Sequence, residues 1–238
     1  MMVFAHRGES ALHPENSRVA IRHCNDDMMH GVEIDIFETE NDFVVFHDRW
    51  LTRLLNIDKH VTQLSDYDLQ TIQGNDGEPL PTLSWLIEYC AQFEFVLNIE
   101  IKYLKSIKRF ERELSRLCSE FNFDRSRLII SSFNHHYLKD ISEHLPDLKL
   151  GLLLAVNPIN IESLLNDFAL YSVHLDMDCL NLKLVHAIQA QGLKVFVFTV
   201  DHAEEIKWLY NNGIDGLFAN HPRQAFNIIE QLTMTSTD

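Results

Sequence analysis

Short apolar runs alternate with amphipathic segments along nearly the whole chain. Nine runs are rich in β-branched and aromatic residues, and most of them are almost continuously apolar. This pattern is typical of parallel strands that are covered on both faces. The runs span residues 3–5, 32–36, 43–47, 95–101, 127–131, 148–154, 172–176, 194–200 and 216–219.

The segments between the runs have the spacing of helices with one apolar face. In residues 107–121, apolar side chains recur every three or four positions, which predicts a helix. An earlier helix is predicted to begin at Asn16 or Ser17, because both residue types cap helix N-termini. It is expected to continue to about His30 and to end before Gly31.

Repeated alternation of strand and helix predicts a (β/α)8 TIM barrel formed by a single domain, residues 1–238. Nine runs are one too many for eight strands, and the gap before the third run is too short for a helical crossover. Run 43–47 is therefore predicted to be a hairpin-like extension or an irregular strand. Residues 51–80 then form a small excursion after this third run, followed by a helix at about 83–92.

The charge balance excludes some partners. With 35 acidic and 20 basic residues the net charge is −15, so a nucleic-acid partner and stable association with an anionic membrane are not expected. No apolar stretch approaches the roughly 20 residues of a membrane helix, and the N-terminus lacks a signal core. The four cysteines are widely spaced and form no metal-binding pair. These features predict a cytoplasmic protein.

Unusual polar residues collect where the first runs end. Catalytic groups of barrel enzymes lie at the carboxyl ends of the strands, so these side chains are expected to converge. They are His6, Arg7, Glu33, Asp35, His47, Asp48, Asn98, Glu100 and Lys102.

The spacing of the acidic residues points to a metal ion. Glu33 and Asp35 are two positions apart, so both face the same side of their strand. Two inward carboxylates are costly to bury unless a cation lies between them. Glu100 adds a third, and an all-oxygen cage suits one divalent cation, Mg²⁺ or Ca²⁺, with Mn²⁺ as the alternative.

The remaining groups suit phosphate chemistry. His6 and His47 are candidates for general base and general acid. Arg7 and Lys102 supply positive charge for a phosphate. Together with a metal ion, these groups describe phosphodiester cleavage. The competing interpretation is a structural ion network, in which the two cations only pair with the carboxylates.

Five short motifs carry a family resemblance. In this order and spacing they resemble the glycerophosphodiester phosphodiesterase family, over about residues 4 to 222. The resemblance implies a (β/α)8 barrel, a small-molecule glycerophosphodiester substrate, and hydrolysis to glycerol 3-phosphate and an alcohol. The motifs are His6-Arg7-Gly8, Pro14-Glu15-Asn16-Ser17, Glu33-x-Asp35, His47-Asp48 and Glu100-x-Lys102.

The family also implies residue roles. It repeats the metal, acid/base and phosphate assignments made above, and it adds Phe198 as a ring against the glycerol. Glu15 is implied to orient Arg7 or a neighbour, although a carboxylate that stabilises a helix start is an equal reading. Asp48 is a supporting residue. Which histidine is the initial base, and whether a glycerol hydroxyl or water is the nucleophile, stay open.

Two late segments depart from the family pattern. Trp-Thr-Val-Asn is replaced by Phe198-Thr199-Val200-Asp201, and Thr-Asp-x-Pro by Ala219-Asn220-His221-Pro222. We expect the lost carboxylate at Asn220 to weaken packing or a contact behind the site, or to alter substrate choice. The departures thus put selectivity in doubt more than activity.

Two other functions stay open at this point. A lysophospholipase D acting on lyso-lipids needs an apolar landing surface near the barrel mouth. A non-catalytic barrel that only binds phosphorylated ligands or metal has its support in the two altered segments. The head group and the oligomeric state are not determined. The residues proposed for the landing surface are Trp50, Leu51, Leu54, Leu55 and Ile57.

Overall fold

The computed structural model describes residues 1–24 and 30–235. Eight parallel strands close into a barrel, because the first strand pairs with both the second and the last. The predicted (β/α)8 fold is confirmed. The strands are β1 (Met2–His6), β2 (Gly31–Glu38), β3 (Phe43–Val45), β4 (Val96–Tyr103), β5 (Leu128–Ser132), β6 (Lys149–Leu154), β7 (Ser172–Asp176), β8 (Lys194–Phe198) and β9 (Gly216–Ala219).

Helices connect the strands on the outside of the barrel. The amphipathic segment 107–121 is helical as predicted, and the Ser106 side chain caps it by accepting from the Arg109 N–H. Within the described residues, no helix combines the length and apolarity that crossing a membrane requires. The α-helices are α1 (Arg18–Arg22), α2 (Thr52–Leu55), α3 (Asp66–Thr71), α4 (Leu83–Cys90), α5 (Ile107–Glu120), α6 (His135–His144), α7 (Ile161–Leu165), α8 (Leu182–Gln189), α9 (Ala203–Asn211) and α10 (Pro222–Thr235).

The third strand is the predicted hairpin-like extension. β3 pairs antiparallel with the end of β2 and is not one of the eight barrel strands. It ends at Val45, two residues earlier than the predicted run. The Phe46 N–H then donates to the Asp35 carbonyl at 3.0 Å, so the segment carrying His47 begins beside a predicted metal ligand.

The first helix differs from its prediction. Ser17, rather than Asn16, is the cap, and α1 already ends at Arg22. Residues 25–29 of the predicted helix lie outside the described residues. Gly31 is not a helix terminator but the first residue of β2. A Cβ atom there would lie 2.4 Å from the Phe4 ring, so glycine is required by close packing inside the barrel.

The excursion over residues 51–80 builds a small core of its own, which holds the chain after β3 against the barrel. Its buried side chains pack on Phe37, Val44 and Phe46. Removing such apolar surface from water stabilises the excursion by roughly 25 cal/mol per Å². The excursion's buried members are Leu51, Val61, Leu64, Leu69 and Leu80.

The same core contradicts the predicted landing surface for lipid. Leu51 is completely buried, and Leu54, Leu55 and Ile57 are partly buried against the excursion core. Only Trp50 is substantially exposed, at 50%. The apolar pattern that suggested a lipid surface is instead explained by packing within the excursion.

Candidate active site

Strand register brings the three predicted metal ligands together. β2 and β4 run parallel, and their pairing sets Asp35 directly opposite Glu100 and Glu33 opposite Asn98. One carboxylate oxygen from each of Glu33, Asp35 and Glu100 lies within 4.8 Å of the others. Glu33 and Asp35 are buried. We call these three carboxylates the cage.

The cage holds more negative charge than its surroundings neutralise. Burial, Asp35 and Glu100 raise the pKa of Glu33 well above its ordinary value. Burial and Asp35 likewise raise the pKa of Glu100 to about 7. Burial opposes ionisation of Asp35 too, but Lys102 and Arg7 outweigh it and lower the Asp35 pKa. A bound cation would favour the ionised form of all three.

Arg7 and Lys102 lie at the edge of the cage. Lys102 Nζ is 2.7 Å from Glu100 Oε1 and 3.5 Å from Asp35 Oδ1. Arg7 Nε is 3.4 Å from Asp35 Oδ2, and the backbone N–H of Arg7 donates to Glu33 Oε2. The structural ion network weighed from the sequence is therefore present in part. It leaves the Glu33 carboxyl facing two other carboxylates, with its pKa raised.

Glu15 contacts Arg7, the residue that the family resemblance implies it orients. Its Oε1 accepts from Arg7 Nη1 at 2.8 Å, and both of its oxygens accept from Arg53. Glu15 precedes the Ser17 cap and so lies outside α1, which disfavours the reading as a residue of the helix start.

Asn16 has a role that sequence reasoning missed. Its Nδ2 donates to Asp35 Oδ2 at 2.8 Å, and its Oδ1 accepts from the Asp35 N–H at 3.2 Å. The residue is buried and has φ of 54°, a left-handed conformation that asparagine tolerates better than most residues. Asn16 therefore holds Asp35 in place and is not a helix cap.

The donor set of the cage fits a hard divalent cation. All three side chains offer oxygen, as Mg²⁺, Ca²⁺ and Mn²⁺ prefer. Asn98 lies opposite Glu33, and its buried Oδ1 has no hydrogen-bond partner among the described residues. Buried carbonyl oxygens rarely stay unpaired. A further oxygen is thus available beside the cage for an ion or for its water.

Two other groups of potential ligands in the described residues fit a metal less well. The first group consists of Glu15, His47 and Asp48. Arg53 already forms ion pairs with both of its carboxylates. In the second, Glu9 forms an ion pair with Arg223 at 2.9 Å. The remaining two ligands of that group, His13 and His23, are stacked with ring centroids 4.0 Å apart, so their in-plane nitrogens do not converge on one point.

His6 lies at the end of β1 against a neutral partner. Its Nδ1 is 2.8 Å from Asn220 Oδ1. Burial, reinforced by the Arg7 charge, lowers the pKa of His6 to about 4. The imidazole is therefore neutral at pH 7.

His47 lies on the excursion side against a charged partner. Its Nδ1 is 2.7 Å from Asp48 Oδ1, and Asp48 also accepts from Arg53. The hydrogen bond from Arg53 lowers the pKa of Asp48 to about 2, so Asp48 is a carboxylate at neutral pH. A carboxylate at Nδ1 fixes the orientation of the ring.

Two cavities meet at Glu100. An outer groove of about 1120 Å³ is bordered by His47, Glu100 and Lys102. An inner cavity of about 20 Å³, large enough for one water, is bordered by His6, Glu100 and Phe198. Each histidine thus borders a cavity that Glu100 of the cage also borders.

Residues 6–224 match the family model described as the glycerophosphoryl diester phosphodiesterase family. The chain belongs to this family. It is therefore an enzyme, a phosphoric diester hydrolase, and the reading as a non-catalytic binding barrel is set aside.

Relatives and solved structures agree with this membership. A glycerophosphodiester phosphodiesterase of Caldanaerobacter subterraneus is 31% identical over 97% of this chain and 98% of its own length. One of Bacillus altitudinis is 26% identical over 97% and 98%. An Oleispira antarctica phosphodiesterase, solved with its product sn-glycerol-3-phosphate, has a TM-score of 0.87 at 24% identity and 97% coverage of both chains. A Thermotoga maritima glycerophosphodiester phosphodiesterase has a TM-score of 0.74 at 23% identity and 98% coverage of both chains.

Proposed function

We propose that this chain hydrolyses glycerophosphodiesters to sn-glycerol 3-phosphate and an alcohol, using a divalent metal ion and two histidines. The observation that carries the proposal is the excess negative charge of the cage between His6 and His47. Hydrolysis of glycerophosphodiesters is the activity of the family. The metal requirement and the residue roles are the proposed part.

Glu33, Asp35 and Glu100 would hold the metal ion, with Asn98 Oδ1 close by. When bound, such an ion polarises a phosphoryl oxygen and neutralises developing charge. Asn16 keeps Asp35 in the ligating position through two hydrogen bonds.

The cations and the aromatic ring position the substrate. Arg7 and Lys102 contribute positive charge for the phosphate, and Glu15 keeps the Arg7 guanidinium from turning away. Phe198 lies at the end of β8 and borders the inner cavity, where its ring would pack on the glycerol.

The partners of the two histidines suggest which one starts as the base. A general acid must carry its proton before the reaction, and a general base must lack it. His6 is half-buried beside Arg7 and has an amide partner, which disfavours a proton on both nitrogens. His47 has the Asp48 carboxylate. We assign His6 as the initial base and His47 as the initial acid that protonates the leaving alcohol.

The experiment is release of glycerol 3-phosphate from glycerophosphocholine with Mg²⁺, Ca²⁺, Mn²⁺ or EDTA. We expect release with at least one metal and none with EDTA. The same metal should raise the Tm of the wild type but not of Glu33→Gln. Glu162→Gln makes the same change at an exposed position and should respond like the wild type. Equal release with EDTA and with metal would contradict the proposal.

Lyso-lipids are the weaker substrate class. The leucines expected to receive an acyl chain pack inside the excursion, so of the predicted landing surface Trp50 is the exposed member. The groove also exposes Tyr103 and Phe133, which lie outside that predicted surface. We therefore expect glycerophosphocholine to be hydrolysed faster than lysophosphatidylcholine. The cytoplasmic location stays a prediction, which cell fractionation tests.

A further inference from the structure

The two departures from the family pattern lie in direct contact with each other and with His6. Asn220 Nδ2 donates to Asp201 Oδ2 at 2.7 Å, although the two residues belong to different loops. Asn220 Oδ1 is 2.8 Å from His6 Nδ1. Asp201, Asn220 and His6 therefore form one chain of hydrogen bonds that ends on the proposed base.

The donors and acceptors of this chain of hydrogen bonds are compatible with only one placement of the hydrogen atoms. A carboxylate only accepts, so the NH₂ group of Asn220 must face Asp201. The amide oxygen of Asn220 must then face His6, and because that oxygen also only accepts, His6 Nδ1 must carry the hydrogen. In the neutral ring the lone pair is therefore on Nε2, the nitrogen left free to take a proton.

Asp201 is itself held from its other side. Its Oδ1 accepts from the His221 N–H at 2.9 Å, so both carboxylate oxygens are engaged. The Ser10 hydroxyl lies 3.0 Å from Asn220 Oδ1 and 2.7 Å from the His6 carbonyl oxygen, which further confines the amide. The orientation of the Asn220 amide is thus determined by fixed groups around it.

We propose that Asp201 and Asn220 are positioning residues that fix the His6 tautomer, and that one carboxylate and one amide are required at these two positions together. The proposal rests on the assignment of His6 as base. Where the family pattern has Asn and Asp, this chain has Asp201 and Asn220. The departures are then one compensated exchange rather than two losses.

Replacing only one of the two residues should disturb the chain of hydrogen bonds. In Asp201→Asn, two amides face each other and either orientation of Asn220 finds a partner. The NH₂ group can then turn toward His6 and favour the tautomer that has no free Nε2. In Asn220→Asp, two carboxylates meet and repel. The double variant D201N/N220D again has one carboxylate and one amide.

The test is a cycle of these three variants on glycerophosphocholine with the activating metal. We expect each single variant to lower kcat by about 10- to 100-fold with KM changed by less than about twofold. The double variant should recover to within about threefold of the wild type. Asp167→Asn is the control, because it makes the same change at an exposed residue between α7 and β7.

Two results would overturn the proposal. One is Asp201→Asn with wild-type kcat, and the other is a double variant no faster than the slower single variant. Because the double variant retains the same pair of groups, it remains informative if a single variant loses its cooperative unfolding transition.

A second readout needs no activity. The ¹⁵N shifts of the His6 ring, assigned by their loss in His6→Ala, report its tautomer at pH 7. We expect the Nδ1–H form in the wild type and a mixture or the Nε2–H form in Asp201→Asn. Identical shifts in both proteins would overturn the proposal. The expected shifts in a wild type that releases no glycerol 3-phosphate would refute the proposed function and leave the positioning role supported.

Discussion

The surroundings of His6 and His47 differ in exposure and in the charge of the hydrogen-bond partner. His6 lies at the end of β1, is half-buried, and contacts the neutral amide of Asn220. His47 follows β3, has a side chain 30% exposed, and contacts the Asp48 carboxylate, which Arg53 holds. One side chain type thus has two kinds of partner: a neutral amide in the barrel region and a charged carboxylate in the excursion region.

Solvent explains much of this difference. A protonated imidazole inside the barrel would lose its hydration beside the Arg7 charge, and an amide partner returns only part of that loss. At the groove, water remains near the ring and a carboxylate offers a full opposite charge. The proposed placement of acid and base thus follows from the different surroundings of the two histidines.

The largest expected effect comes from removing each histidine. His6→Ala and His47→Ala should each lower kcat on glycerophosphocholine by about 10³-fold, or about 4 kcal/mol. With the p-nitrophenyl ester of glycerol phosphate, the leaving group departs without a proton. His47→Ala should then recover most of the rate, whereas His6→Ala should not. Recovery in His6→Ala alone would reverse the two roles.

A second, smaller effect concerns the stability of the barrel region at acid pH. Burial lowers the pKa of His174 to about 3 in the barrel interior, where its Nε2 is 2.8 Å from Ser172 Oγ. In the unfolded chain this pKa is about 6.5. Below that value the unfolded chain binds the extra proton, so stability is lost as the pH falls.

For His174 alone, the free energy of unfolding should fall by about 2 kcal/mol between pH 6.5 and pH 5. His174→Asn cannot titrate there and should show a flatter dependence, despite lower stability at pH 7. Urea unfolding at several pH values measures both. An unchanged slope would show that His174 is not held neutral.

The smallest effect tests the partner of His47. Asp48→Asn keeps the shape of the side chain but removes its charge, so kcat on glycerophosphocholine should fall by about tenfold, or about 1.4 kcal/mol. The nitrophenyl ester should be affected much less. Asp58→Asn, at an exposed position of the same excursion, should leave both rates unchanged. Equal losses on both substrates would argue that Asp48 acts on something other than proton donation.

Local patterns explain why much of the architecture was predictable. Apolar runs separated by amphipathic helices require a sheet covered on both faces, and the short gap before β3 excludes a crossover. By contrast, the prediction that Gly31 follows a helix end was wrong. Glycine is common after helices, whereas here it is required by close packing against the Phe4 ring. Leu51 was misread because an apolar residue next to the site has the same pattern whether it faces lipid or a small core.

The sequence by itself determined that Glu33 and Asp35 share a face, because strands have a period of two residues. It also placed polar side chains at the ends of the apolar runs. Only the tertiary structure decided that Asp35 opposes Glu100, because register between strands is a long-range choice. The contact of Asp201 with Asn220 belongs to the same class, since their loops meet only after the barrel closes. Burial likewise emerges only with the complete fold, and it lowers the pKa of His6.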